Sequence, residues 1–501
     1  MSDEKDPHGF MPREYQKDIA SSAGGDNVLI VLPTGMGKTA ISAILIEKRI
    51  LNGKNAIFLA PTKPLCDQQS IALASYIGNK ARITVATGEI PPEKRGNLWG
   101  GDYNIIVSTP QTAINDLPYM PEVIGKLGIA VFDEAHRATG DYPYVKLAEL
   151  FSHEGRIQLI GLTASPGDQA HEMEILKNLN LSAVIRRSFS DSSIKKYTHS
   201  VDVETIKLKR TDHQEKVRKL LDSLYLRILS GLPSSMLPEM PKRKDLIDAM
   251  KNASAMISDG DREGYRIMNL LVTALRIDYA REYAETQGID QVEQYLLDLQ
   301  ADHSASVEKS LKTISNMDEF NQLLLILKDR NLDRSNPKFS VICRLCSSQI
   351  GRGRVIVFAH YRKTGELLAD YLTTNCQGIS ARAFYGHGKK GEEKGMSQKT
   401  QTDTINAFRN GEFNVLVATS IGEEGLDIPD TDLVIFYEPV ASEIRTIQRM
   451  GRTGRFRPGM VKILMFEDGR EIPYYYISSK TFKRRGTGSS GKTKPKSLYD
   501  F

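Results

Sequence analysis

Short apolar runs alternate with amphipathic stretches along roughly the first 200 residues. The runs at 28–32, 56–60, 83–87, 105–108, 129–132 and 158–162 are largely apolar on both faces, as in strands of a parallel sheet covered by helices. The texture returns near Arg354, with runs at 355–359, 381–384, 415–418, 433–437 and 461–466. Between the two blocks the apolar period becomes helical: Val217, Leu220, Leu221 and Leu224 share one face, as do Val292, Leu296 and Leu299. Gly231-Leu232-Pro233-Ser234-Ser235 and Ser258-Asp259-Gly260-Asp261 read as breaks between these helices. The pattern predicts an α/β protein. Two parallel-sheet lobes, 1–204 and 336–482, flank an all-helical insert at 205–335, and a basic, flexible tail occupies 483–501.

Candidate chemistry clusters where strands end. Val28-Leu29-Ile30-Val31 leads into Leu32-Pro33-Thr34-Gly35-Met36-Gly37-Lys38-Thr39, and a helix-forming segment follows. This is the layout of a phosphate-binding loop. In the loop that Pro33 opens, backbone N–H groups of Thr34, Gly35, Met36 and Gly37 cradle a triphosphate, Lys38 reaches its β and γ groups, and the Thr39 hydroxyl holds Mg²⁺. Leu32 departs from the usual pattern, which has Gly there.

The run at 129–132 ends in Asp133-Glu134-Ala135-His136. Carboxylates at a strand's C-terminal end face the crevice where α/β sheets bind ligands. Asp133 is suited to hold Mg²⁺ through water, and Glu134 to polarise the attacking water. His136 reads either as a residue opening a helix or as a link that reports nucleotide state through Thr163 and Ser165. Upstream, Arg13, Tyr15 and Gln16 suit adenine: Gln offers a donor and an acceptor to the base edge, and an aromatic ring or a guanidinium stacks on it. No Asn-Lys-x-Asp guanine reader occurs, so ATP is the expected nucleotide.

Bulk properties exclude several classes. Apolar content of 40% and charged content of 26% are those of an ordinary globular chain. A net charge of +5 and a pI near 8.7 admit a polyanionic partner. No apolar run has the length of a membrane span, and the polar, acidic start is not a secretory signal. Four cysteines in 501 residues fit a reducing compartment and argue against a disulfide framework. Cys343 and Cys346 form a CxxC pair on an amphipathic helix with no second pair, so no metal site is expected there.

The ordered segments Ala60-Pro61-Thr62-Lys63-Pro64-Leu65, Ser108-Thr109-Pro110-Gln111, Asp133-Glu134-Ala135-His136 and Thr163-Ala164-Ser165-Pro166 resemble the motifs of superfamily 2 helicases. Val357-Phe358-Ala359-His360-Tyr361-Arg362, the segment 418–427 and Gln448-Arg449-Met450-Gly451-Arg452-Thr453-Gly454-Arg455 complete the series. The wording is similar to the archaeal Hef helicases and their FANCM relatives, which also carry Leu at the first loop position; Dicer and RIG-I-like helicases come next.

The resemblance implies two RecA-like lobes and a motor fuelled by ATP and Mg²⁺. It implies arginine fingers at Arg452 and Arg455, Gln448 at the γ-phosphate or its water, and Gly425 and Asp427 near the ribose. It also implies that Pro61, Thr62, Lys63, Thr109, Gln111, His360, Arg362, Thr419 and Gly422 grip a single-strand backbone between the lobes without reading sequence. The insert resembles that of Hef, which is associated with branched DNA. Its Lys242, Arg243 and Lys244 read either as a grip on a duplex arm or as a solvated surface.

The expected function is a DNA helicase of forked or branched DNA, in repair or restart of stalled replication. The expected setting is the nucleoid-associated cytoplasm, with a sliding clamp or separate nuclease as partner and no membrane. An XPF-like Glu-Arg-Lys nuclease signature does not occur before Phe501, and no nuclease activity is expected of the chain. The rivals are an RNA-directed translocase of the Dicer or RIG-I type and an ATP-binding clamp that remodels nothing.

Overall fold

The computed structural model describes residues 11–188, 191–195, 197, 201–329, 331–351, 353–386, 395–419, 429, 431–439 and 459–476. The expectations for Gly422, Gly425, Asp427, Gln448, Arg452 and Arg455, and for the tail at 483–501, lie outside these residues.

The first lobe is a seven-stranded parallel sheet. Its strands are β1 (Val28–Val31), β2 (Asn55–Leu59), β3 (Ile83–Ala86), β4 (Ile105–Ser108), β5 (Leu127–Phe132), β6 (Gln158–Thr163) and β7 (Ala183–Arg186). They lie in the order β3-β4-β2-β5-β6-β1-β7. Every residue of β1, β4, β5 and β6 is buried, because helices cover both faces and each face has its own apolar cluster.

The second sheet contains β8 (Val201–Leu208), β9 (Val355–Phe358), β10 (Ala381–Phe384), β11 (Val415–Ala418), β12 (Leu433–Phe436) and β13 (Gly459–Phe466), ordered β10-β11-β9-β12-β13-β8. Its strands are also parallel. Strands β7 and β8 have no counterpart in the apolar pattern. Strand β8 pairs with β13 along its whole length, from Val201 beside Gly459 to Leu208 beside Phe466. The expected boundary at 204/205 therefore falls inside a strand, and 201–208 belong to the second lobe.

Six helices follow: Asp212–Leu229, Arg243–Ser258, Arg262–Thr286, Ile289–Ala301, Ala305–Ile314 and Asp318–Lys328. They share a core that includes Val217, Leu221, Leu224, Leu271, Val292 and Leu323. Thr211 caps the first of them: its hydroxyl accepts from the Gln214 N–H, and the Gln214 side chain accepts from the Thr211 N–H.

The insert is fixed to the second lobe by buried and half-buried polar contacts. Gln287, just past the Arg262–Thr286 helix, donates to Glu438 at 2.5 Å and accepts from the Thr364 hydroxyl at 2.7 Å. Tyr361 donates to Glu282 at 2.6 Å, and Arg470 pairs with Asp278 at 2.5 Å. Lys338, paired with Glu471 inside the second lobe and buried with it, donates across the same interface to the Thr286 carbonyl at 3.4 Å.

One cysteine expectation is corrected. Cys343 and Cys376 form a disulfide, their Cα atoms 6.0 Å apart, which ties the Pro337–Ser347 helix to the end of the Arg362–Asn375 helix. Residues 33 apart in sequence meet because the two helices lie side by side, a proximity that cysteine counting does not reveal. Cys66 and Cys346 are free and buried. Among the described residues, no helix is long and apolar enough to cross a membrane.

Candidate nucleotide and strand-binding site

The strand order sorts the candidate residues. Strands β5, β6 and β1 are neighbours, and their C-terminal ends carry Asp133-Glu134, Thr163 and the phosphate loop. Strands β2 and β4, also neighbours, lead into Pro61-Thr62-Lys63 and Thr109-Pro110-Gln111. Nucleotide and strand candidates thus occupy adjoining parts of one sheet edge.

The loop is held open by its glycines and by the chain behind it. Gly35 and Gly37 adopt φ of +85° and +75°, and a Cβ on Gly37 would lie 2.4 Å from Gln16 Nε2. Gly37 caps the Lys38–Leu51 helix, whose N-terminus attracts phosphate. Leu32 extends the sheet: its N–H donates to the Thr163 carbonyl at 3.0 Å while its side chain is buried. This accounts for an apolar residue at the first loop position.

Of the upstream residues, Tyr15 and Gln16 are turned to the phosphate loop. The Tyr15 hydroxyl donates to the Met36 carbonyl at 2.7 Å, and Gln16 Nε2 donates to the same oxygen at 3.2 Å. Gln16 Oε1 accepts from the Arg13 N–H at 2.9 Å. Tyr15 is fully buried, with its ring 5.4 Å from that of Tyr197, so it braces the loop and offers no face to a base. Burial raises the pKa of its phenol. Arg13 stacks over Tyr197 at 4.9 Å.

The carboxylates sit deeper. Asp133 is buried; its Oδ1 accepts from the Glu134 N–H at 3.0 Å and its Oδ2 from Gln69 Nε2 at 2.9 Å. Burial, then the neighbouring Glu134 charge, pushes its pKa up to about 7. Burial also opposes ionisation of Glu134, but His136, Lys38 and Arg137 outweigh it and hold its carboxyl at about 2. Glu134 has φ +50°, a left-handed conformation that costs a non-glycine residue roughly 1–2 kcal/mol. The coupling candidates do meet. His136 Nδ1 lies 3.2 Å from Thr163 Oγ1 and 3.3 Å from Glu134 Oε2, and the Thr163 hydroxyl donates to the Ser165 carbonyl at 3.0 Å.

The residues fit a magnesium ion bound together with a triphosphate. Glu134 Oε2 is buried, 3.3 Å from His136 Nδ1, and Thr39 and Asp133 converge on a single amide, that of Gln69. Among the described residues no group of three or more His, Cys, Asp or Glu side chains is arranged around a metal position. One carboxylate and one hydroxyl, completed by phosphate and water oxygens, is the usual environment of protein-bound Mg²⁺.

The strand candidates vary in exposure. Thr62, Gln111 and His360 are exposed, Pro61, Lys63, Thr109 and Arg362 are half-buried, and Thr419 is buried at the end of β11. Lys63 pairs with Glu89 at 2.6 Å, and Arg362 with Glu366 at 3.0 Å while stacking on Tyr385 at 3.9 Å. The His360 N–H donates to Glu438 at 2.6 Å. In the insert, Arg243 pairs with Asp278 and Glu282 and stacks on Tyr279, so it serves the insert's own structure.

Comparison with known proteins agrees with this geometry. A DEAD/DEAH box helicase model matches residues 13–173, and a helicase conserved C-terminal domain model matches 337–457. The crystal structure of the Pyrococcus furiosus Hef helicase domain superposes with a TM-score of 0.69 at 34% identity, covering 93% of this chain and 98% of that one. The chain belongs to the Hef type of superfamily 2 helicases.

Two curated relatives of this chain are each 33% identical. The ATP-dependent DNA helicase MPH1 of Pyricularia oryzae matches 92% of this chain and 44% of its own length. A Methanocaldococcus jannaschii protein, provisionally named an ATP-dependent RNA helicase, matches 96% and 60%. The chain spans about half the length of the curated relatives it matches.

One site residue escaped the sequence reading. Gln69 stands in the buried stripe Leu65, Cys66, Gln69, Leu73 and Ile77 of the Lys63–Ile77 helix. An amide among apolar neighbours at helical spacing is the signal that would have found it.

Proposed function

We propose that this chain is an ATP-driven motor that separates or remodels strands of forked or branched DNA, in repair or restart of stalled replication. The observation that carries the reading is the meeting of the phosphate loop, Asp133-Glu134 and Thr163 at adjacent strand ends, on a fold shared with the Hef helicase domain. Lys38 neutralises the β- and γ-phosphates, and Glu134 orients the attacking water. Thr39 and Asp133 hold Mg²⁺, which supplies charge neutralisation at the phosphate oxygens. Tyr15 and Gln16 act on the nucleotide through the Met36 carbonyl that they fix.

Arg452, Arg455 and Gln448 complete the reaction from the second lobe, with Gly425 and Asp427 at the ribose. His136, Thr163 and Ser165 pass the state of the γ-phosphate across the sheet edge. Pro61, Thr62, Lys63, Thr109 and Gln111 of one lobe, and His360, Arg362, Thr419 and Gly422 of the other, hold the strand backbone. Affinity is then strongly salt-dependent and nearly indifferent to sequence.

An RNA substrate is the second reading, favoured by the name of the Methanocaldococcus relative. Matched DNA and RNA forks, four-way junctions and linear duplexes decide between them by ATPase stimulation and strand separation. DNA forks and junctions giving the largest response support the proposal. A larger response to RNA transfers the function to RNA, and stimulation without strand separation on any substrate reduces the protein to a clamp.

A further inference from the structure

The Gln69 carboxamide spans the two residues assigned to the metal. The Thr39 hydroxyl donates to its Oε1 at 2.8 Å, and its Nε2 donates to Asp133 Oδ2 at 2.9 Å. Gln69 is 6% exposed, so neither bond competes freely with water. Each bond also has a direction. By donating its proton to Gln69, Thr39 keeps a lone pair on Oγ1 for a cation. Asp133 has Oδ1 fixed by the Glu134 N–H and Oδ2 by Gln69, so its carboxylate plane is set from both sides.

The requirement is chemically narrow. The residue must accept at one end and donate at the other, and it must reach both partners. Glu has the length but no donor, and would set a second charge beside Asp133. Met has the volume but neither function. Asn is one methylene short.

The helix that carries Gln69 adds a second consequence. It begins at Lys63, directly after Thr62 and Pro61, the residues assigned to the strand backbone. Two turns of a rigid element therefore separate those residues from the amide that sets the metal ligands.

We propose that Gln69 is the positioning residue that orients Thr39 and Asp133 for Mg²⁺ and links them, through the Lys63–Ile77 helix, to the strand held at 61–63. This rests on the reading of the site as one for ATP and Mg²⁺. Groups that orient metal ligands typically change metal affinity or activity 10–100-fold when removed.

The test is equilibrium binding of a fluorescent, non-hydrolysable ATP analogue by the full chain, titrated with Mg²⁺ and repeated in EDTA, with and without a single-stranded DNA oligonucleotide. Gln69→Met is expected to weaken binding about 10–100-fold in Mg²⁺, to leave binding in EDTA unchanged, and to abolish the effect of the oligonucleotide on nucleotide affinity. Unchanged Mg²⁺ dependence overturns the proposal, and so does an oligonucleotide effect as large as that of the wild type. Should Gln69→Met fail to fold, Gln69→Asn, uncharged but too short to reach both partners, carries the same expectations and the same overturning results. Lys38→Ala separates the two layers: nucleotide binding surviving that change would sink the ATP-site reading itself, whatever Gln69 does.

Discussion

Gln287 donates to Glu438 at 2.5 Å and thereby joins the helical insert to the second lobe. The other oxygen of Glu438 receives the His360 N–H at 2.6 Å, so the insert reaches a strand-contact candidate through one carboxylate. Gln287→Leu removes the donor to Glu438 and the acceptor for Thr364 together. The expected loss is about 2–3 kcal/mol, because partners left buried and unpaired cost more than the bonds contribute. Chemical denaturation measures it. A stability within 0.5 kcal/mol (about the scatter of neutral surface changes) would show that the junction is not held this way.

Glu134 is the residue assigned to the attacking water, and its carboxyl is held ionised beside His136 and Lys38. Glu134→Gln keeps the shape and removes the charge. Turnover should fall at least about 10²-fold while nucleotide binding persists. Steady-state ATPase rates beside direct nucleotide binding check this, and a variant that still turns over at the wild-type rate would free Glu134 of the role.

Tyr15 touches the phosphate loop through one hydroxyl. Tyr15→Phe leaves the Met36 carbonyl with Gln16 Nε2 as its side-chain donor. A single neutral hydrogen bond contributes about 1 kcal/mol, so nucleotide affinity should weaken about fivefold. Isothermal calorimetry reads the change directly; a Kd identical to that of the wild type would mean the loop holds its shape without Tyr15.

Asp116 anchors the segment that follows β4. It pairs with Arg95 at 2.6 Å and accepts from the Trp99 indole at 2.9 Å. The Arg95 hydrogen bond, opposed by burial and aided by Trp99, lowers its pKa. A carboxyl whose folded pKa is depressed stabilises the fold above its ordinary value near 3.8 and ceases to do so as pH falls through the depressed value. Asp116→Asn should therefore cost about 2–3 kcal/mol near neutrality, with the gap to the wild type closing below pH 3.8. Urea titrations at several pH values follow the gap, and a pH-independent difference would contradict the assignment.

Most of the architecture was legible because strands buried on both faces must be apolar throughout. Val28–Val31 and Val355–Phe358 are of this kind. Strand β8 escaped because Val-Asp-Val-Glu-Thr-Ile-Lys-Leu alternates, as an edge strand does, and its partner lies far along the chain. Strand β7 is a second edge, and none of its four residues is fully buried. In the site, Lys38, Thr39, Asp133 and Glu134 announce themselves by spacing after apolar strands. Tyr15 carried the right residue type for stacking, but its role depends on burial, a property of packing. Gln69 is visible only once two distant loops converge on its amide.

Strand β8 also has to wait. At synthesis rates of roughly 5–20 residues per second, the ribosome needs on the order of 10–50 s after making Val201–Leu208 before Gly459–Phe466 exists to receive it. Meanwhile a free β-edge is tethered to a helical body that is already able to form. A chaperone, or early docking of that body, would guard the growing chain from pairing this edge with a neighbour.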